Sequence, residues 1–150
     1  MKIRRTVIDL ALVEHKRFWE SGRGESEATR AAQMICKEWQ KAVDARFPNR
    51  FEIEHGLKEP GLGQKIDLVD TVDSVAYELK ASPNNIHMEI YRDVFKVLVY
   101  NQHRPDNPIR TLVFLAPKER GKWPIGRFPE TVQSITRQMG VELIIQPLEE

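Results

Sequence analysis

One cysteine, Cys36, stands alone in a chain of 150 residues. That excludes an internal disulfide, and a lone thiol fits a reducing compartment, so a cytoplasmic location is expected. The sequence has no uninterrupted run of 18 apolar residues, the length a membrane-spanning helix needs. Its opening stretch, MKIRRTVIDLALVEHKRFWE, carries basic residues. Its apolar segment is short, however, and no small-residue cleavage site follows. It reads as a helix and not as a signal peptide. Neither sign of charge is in excess: Lys and Arg number 23 against 22 Asp and Glu, a formal net charge of +1. A surface for a polyanion would therefore have to be local. The four histidines, His15, His55, His87 and His103, are scattered without metal-ligand spacing, which argues against zinc. Repeats and low-complexity tracts are absent. GLGQK lacks the spacing of a Walker loop and no helix follows it, so it reads as a turn.

What is present describes an ordinary globular domain. Hydrophobic residues make up 41% and charged residues 30%. The length suits one domain with a substantial core. A first helix is expected over Thr6–Glu20, with Ile8, Ala11, Leu12, Phe18 and Trp19 near one face, and SGRGES breaks it. A second runs about Ser26–Phe47 on an apolar stripe of Ala28, Ala31, Ala32, Ile35, Trp39 and Val43, and Pro48 and Asn49 stop it. FEIEH alternates as a strand does. Strands Lys65–Asp70 and Val75–Ala81 follow. SPNN opens a helix reaching His103, with Ile90, Tyr91, Val94, Phe95, Leu98 and Val99 as its apolar residues. RTLVFLAP is a continuously apolar strand expected inside the sheet. Pro129–Met139 is a helix ended by Gly140, and VELIIQPL is the last strand. The order α-α-β-β-β-α-β-α-β predicts an α/β domain, a mixed sheet flanked by helices.

The stretch KIDLVDTVDSVAYELK (Lys65–Lys80) is where this pattern meets chemistry. On the strand from Val75, the side chains of Val75, Tyr77, Leu79 and Ala81 share one face, and Ala76, Glu78 and Lys80 share the other. A hairpin centred on Val72 and Asp73 pairs Asp67 with Glu78, their Cβ atoms roughly 5 Å apart. Two carboxylates at that range repel unless they share a proton or bind a cation. Lys80, one step along, offsets part of their charge. Converging hard oxygen donors suit Mg²⁺ or Mn²⁺.

Asp67, followed across the turn by Glu78, Leu79 and Lys80, resembles the active-site hairpin of the PD-(D/E)xK nuclease superfamily, the restriction-endonuclease-like fold. That pattern is an aspartate at a strand start, then a carboxylate, any residue and a lysine on the next strand. Ile66 stands where the family's name has proline, a position without a chemical role. The likeness spans about Ser26–Pro117, the core of residues 26–117. Residues 1–22 then form an N-terminal helical extension, and 118–150 a C-terminal loop, helix and strand. The resemblance implies a metal-dependent endonuclease hydrolysing phosphodiester bonds, with DNA the leading substrate, in a restriction, defence or repair setting. Asp67 and Glu78 would hold Mg²⁺ or Mn²⁺ with the Leu79 backbone carbonyl, and Lys80 would orient water and stabilise charge. The family often adds an acidic residue from the first core helix, here Glu27 or Glu38. These lie about 16 Å apart on one side of the helix, so only one can reach the site. Glu54 is a further candidate.

Two more features bear on a nucleic-acid partner. Glu89, Arg92, Asp93 and Lys96 form a charged stripe expected to be solvated by i,i+3 and i,i+4 pairing, with Arg92 or Lys96 the alternative contacts beside the site. Lys118, Arg120, Lys122 and Arg127 flank Trp123 in KERGKWPIGR, a combination suited to backbone phosphate and a base or sugar. The chain is nearly all core, so a homodimer or a partner subunit is expected for cutting both strands. The other reading is a catalytically silent nuclease-fold module that binds nucleic acid or a protein partner.

Overall fold

A computed structural model describes residues 2–20, 28–57, 64–81, 86–117 and 130–148. Over these the chain runs α1 (Lys2–Glu20), α2 (Ala28–Arg46), β1 (Phe51–Gly56), β2 (Lys65–Asp70), β3 (Val75–Leu79), α3 (Ile86–His103), β4 (Thr111–Pro117), α4 (Glu130–Gln138) and β5 (Glu142–Leu148). The strands form one five-stranded mixed sheet in the order β1-β2-β3-β4-β5. β1, β2 and β3 pair antiparallel, whereas β3, β4 and β5 pair parallel. The architecture is mixed α/β. Among the described residues no helix is long and apolar enough to cross a membrane.

Apolar spacing accounts for the layers. On α2, Ala31, Ile35, Trp39 and Val43 recur every fourth residue and are all buried. They pack with Val7, Ala11 and Phe18 of α1 against Tyr77, Leu79 and Val113 of the sheet. The Trp39 indole donates to the Val7 carbonyl at 3.0 Å, tying α1 to α2. α1 begins at Lys2, four residues before the expected start. Lys2, Ile3, Arg4 and Arg5 extend the helix without an N-cap residue to mark its beginning.

The opposite face of the sheet carries α3 and α4. Ile86, Ile90, Val97 and Tyr100 of α3 and Val132 of α4 pack with Ala76, Leu112, Phe114 and Leu143. Two successive parallel crossovers that advance in one direction, β3-α3-β4 and β4-α4-β5, place their helices on the same face. β4 is buried on both faces, with Val113 and Leu115 toward α1 and α2 and Leu112 and Phe114 toward α3. That is why its sequence is continuously apolar. The expected stripe of α3 is corrected: Tyr91 and Phe95 are exposed, and the buried positions are Ile86, Ile90, Asp93, Lys96, Val97 and Tyr100.

The β2–β3 hairpin has the register derived from its symmetry: Leu68 faces Tyr77, Val69 faces Ala76 and Asp70 faces Val75. Asp70 is buried and builds the turn. Its Oδ1 accepts from the amides of Val72 (3.0 Å) and Asp73 (3.1 Å), and Oδ2 pairs with Arg50 at 2.9 Å. A short polar acceptor of this kind substitutes for backbone pairing in a turn.

Candidate active site

One residue beyond the last pair, Leu68–Tyr77, the side chain of Asp67 comes within hydrogen-bonding reach of Glu78 at the C-terminal end of β3, the end at which parallel strands commonly present ligands. Asp67 replaces the ladder there: its Oδ2 accepts the Leu79 amide at 2.9 Å. Strand pairing on that side stops, while the Lys80 amide continues toward β4 by donating to the Leu115 carbonyl at 2.7 Å. β3 thus ends at Leu79 and not at Ala81. β1 is also altered at this level. Its register passes from Ile53–Leu68 to His55–Ile66, and Glu54 between them has φ 48°. A left-handed glutamate inside a strand is strained backbone of the kind concentrated at functional sites.

Helices from both layers close around this end of the sheet. From α2, the Gln40 amide donates to the Asp67 carbonyl at 3.3 Å, and the Cys36 thiol to the Leu79 carbonyl at 3.3 Å. From α3, the Lys96 ammonium donates to the Lys65 carbonyl at 2.7 Å. It lies 2.6 Å from Glu78 Oε1 and 2.8 Å from Asp93 Oδ1. These last two contacts are close by charge but lack hydrogen-bond direction, so both oxygens are buried with no hydrogen bond of their own. Lys80 reaches the same cavity from β3 and pairs with Glu89 Oε1 at 3.4 Å. Glu89 also pairs with Arg92. The resulting cavity is about 560 Å³, and Asp67, Glu78, Lys80, Glu54, Asp93 and Lys96 are among its lining residues.

Burial and mutual repulsion dominate the electrostatics. Burial is the largest influence on Glu78, and the charges of Asp67 and Asp93 add to it, raising its pKa well above the usual carboxylate value. Lys96 offsets only part of this. Asp67 is also raised, chiefly by burial, against the stabilising Leu79 amide. Burial raises Asp93 to about 6, with Lys96 opposing. For Lys96 itself burial pulls downward, but Glu78 and Asp93 outweigh it and the pKa rises. The Cys36 thiol is pushed well above its ordinary range by burial and then by Asp67 and Glu78.

The structure therefore brings Asp67, Glu78, Leu79 and Lys80 together, with Glu54, the further candidate, on the wall of the same cavity. Glu38 is exposed and paired with Lys41 at 2.7 Å, outside the cavity. Glu27, Lys118, Arg120, Lys122, Trp123 and Arg127 lie outside the described residues. The α3 stripe is not solvated throughout: Asp93 and Lys96 are 4% and 3% exposed. Among the described residues no three His, Cys, Asp or Glu side chains form a ready metal site. Where Glu78 and Asp93 approach one another, the Lys96 ammonium stands between them. The donors themselves fit a hard divalent ion: they are carboxylate and carbonyl oxygens, two of them buried without a hydrogen bond. Compared with known proteins, the chain matches no family model, no curated sequence and no solved structure.

Proposed function

We propose that this protein is a metal-dependent nuclease of restriction-endonuclease-like fold, hydrolysing phosphodiester bonds with Mg²⁺ or Mn²⁺, and that DNA is its leading substrate. The observation that carries the reading is the placement of Asp67 and Glu78 on adjacent strands, in a cavity they share with Lys80. Repulsion between the half-buried Asp67 and the buried Glu78 is relieved by a divalent cation. Asp67, Glu78 and the Leu79 carbonyl would hold that ion. When bound, it supplies a water of lowered pKa and neutralises charge on the phosphate. Asp67 is fixed for this task by the Leu79 amide, and Gln40 fixes its backbone from α2. Lys80, on a flexible stem at the cavity wall, orients the attacking water and stabilises the negative charge that develops on the phosphate oxygens. Arg92 and the basic loop with Lys118, Arg120, Lys122, Trp123 and Arg127 supply contacts to the nucleic-acid backbone. Cutting both strands then calls for a homodimer or a partner subunit.

The ion pairs at Lys96 favour one second reading: a nuclease-fold module without activity, which binds nucleic acid or a protein partner. Incubation with plasmid, single-stranded DNA and RNA in Mg²⁺ or Mn²⁺ separates the two. The enzyme reading expects metal-dependent cleavage that Asp67→Asn abolishes. Binding without cleavage by the wild type in either metal would establish the module instead.

A further inference from the structure

Lys96 is placed in a way that a merely structural counter-ion does not require. Its ammonium is held by three oxygens: the Lys65 carbonyl at 2.7 Å, Glu78 Oε1 at 2.6 Å and Asp93 Oδ1 at 2.8 Å. A lysine ammonium has three protons and no lone pair; one proton goes to the Lys65 carbonyl, and the two carboxylate oxygens are held by charge without a hydrogen bond. Two carboxylates and a carbonyl are also the donor set that a hard divalent cation selects. The side chain is 4% exposed, yet it borders the cavity of about 560 Å³. Charge is mismatched as the cluster stands. Asp67, Glu78 and Asp93 present three carboxyl groups to one buried ammonium, and Lys80 is engaged with Glu89 at the rim.

We infer that Lys96 is a built-in counter-cation occupying the divalent-ion position, and that Asp93 and the Lys65 carbonyl join Glu78 as ligands once a divalent ion displaces the ammonium into the cavity. The inference rests on the metal-site reading above and adds to it a donor from α3 and a competitor from the same helix. It accounts for the absence of a ready three-ligand site among the described residues. Exchanging a single charge for a double one improves the match to the carboxylates. The four-carbon stem of lysine supplies the freedom to move aside. Occupancy of the site by metal would then be coupled to a swing of Lys96, leaving its ammonium free beside Arg92 and Lys80 for a polyanion.

Calorimetric and thermal-melt titration with Mn²⁺ alone tests this without any substrate. Lys96→Met removes the competitor, and Mn²⁺ affinity should rise on the order of tenfold or more, the effect of about 1.4 kcal/mol. Adding Asp93→Asn to Lys96→Met should erase the gain. Lys96→Gln keeps a donor of similar length without charge and should also bind more tightly than the wild type, which covers a Lys96→Met chain that does not fold without metal. Affinity in Lys96→Met and Lys96→Gln equal to or weaker than wild type, with Asp67→Asn still abolishing binding, overturns the inference and leaves the metal site standing. No Mn²⁺ binding by the wild type or by either Lys96 variant overturns both.

Discussion

Two lysines reach one cavity from different elements, and their surroundings predict different behaviour. Lys80 is 25% exposed and Glu89 18%, and their 3.4 Å pair lies at the rim, where solvent still reaches both partners. Pairs that solvent reaches contribute about 0–1 kcal/mol. Lys80→Ala should therefore melt close to the wild type and keep its Mn²⁺-induced rise in melting temperature. Cleavage should fall about a hundredfold or more, the scale of losing one group that stabilises developing charge. A folded Lys80→Ala protein cutting at the wild-type rate would remove Lys80 from the proposed chemistry. Residues are also where the sequence was most unevenly legible. The rung joining Asp67 and Glu78 followed from period-two alternation and hairpin symmetry, because both are local. In sequence, the i,i+3 charge pair of Asp93 and Lys96 resembles an exposed helix face. The missed signal was spacing. Ile86, Ile90, Val97 and Tyr100 define a buried stripe on which position 93 falls. An aspartate there must find a buried partner.

Elements were legible to the extent that their ends are written in local chemistry. α4 stops at Gly140, whose φ is 81°. The Gly140 amide donates to the Arg137 carbonyl at 2.9 Å, and the Val141 amide reaches back to the Thr136 carbonyl at 2.9 Å. These two bonds form a Schellman motif, which asks for a left-handed residue. A Cβ at Gly140 would meet no heavy atom within 4 Å. The cost of Gly140→Ala is thus purely backbone and should be about 1–2 kcal/mol in urea unfolding, with no change in Mn²⁺ affinity because α4 is remote from the cavity lining. A neutral Gly140→Ala would mean that the turn relaxes into another form. β3 was harder to bound. Its sequence continues through Ala81, but a side chain from the neighbouring strand takes the Leu79 amide. No propensity within β3 announces an acceptor supplied by β2. The early start of α1 is the opposite case: without a cap, the first turn has no written boundary.

At the scale of the whole molecule, the mixed sheet and its covering helices were foreseeable from the alternation of strand and helix patterns. Their consequence for the cavity was not, because α2 and α3 approach the same sheet end from different faces. Residues 33–40 and 89–96 are far apart in the chain, and no window of sequence contains both. Sequence alone consequently does not place Gln40 and Cys36 beside the carboxylates, although each donates to the backbone beside them.

Cys36 gives that convergence a practical meaning. The chain has one thiol, and it sits on the cavity wall with its sulfur against the Leu79 carbonyl. Burial, and then the charges of Asp67 and Glu78, raise its pKa, so the reactive thiolate is disfavoured. The thiol is half-buried, so its alkylation rate gauges the charge beside it. Mn²⁺ held by those carboxylates offsets their charge and should raise the rate in proportion to occupancy, and Asp67→Asn should make it indifferent to the ion. Labelling at one rate with and without Mn²⁺ would mean that no ion is held beside Cys36. The lone cysteine that excluded a disulfide is thereby a native probe, already installed where α2 and α3 line the same cavity.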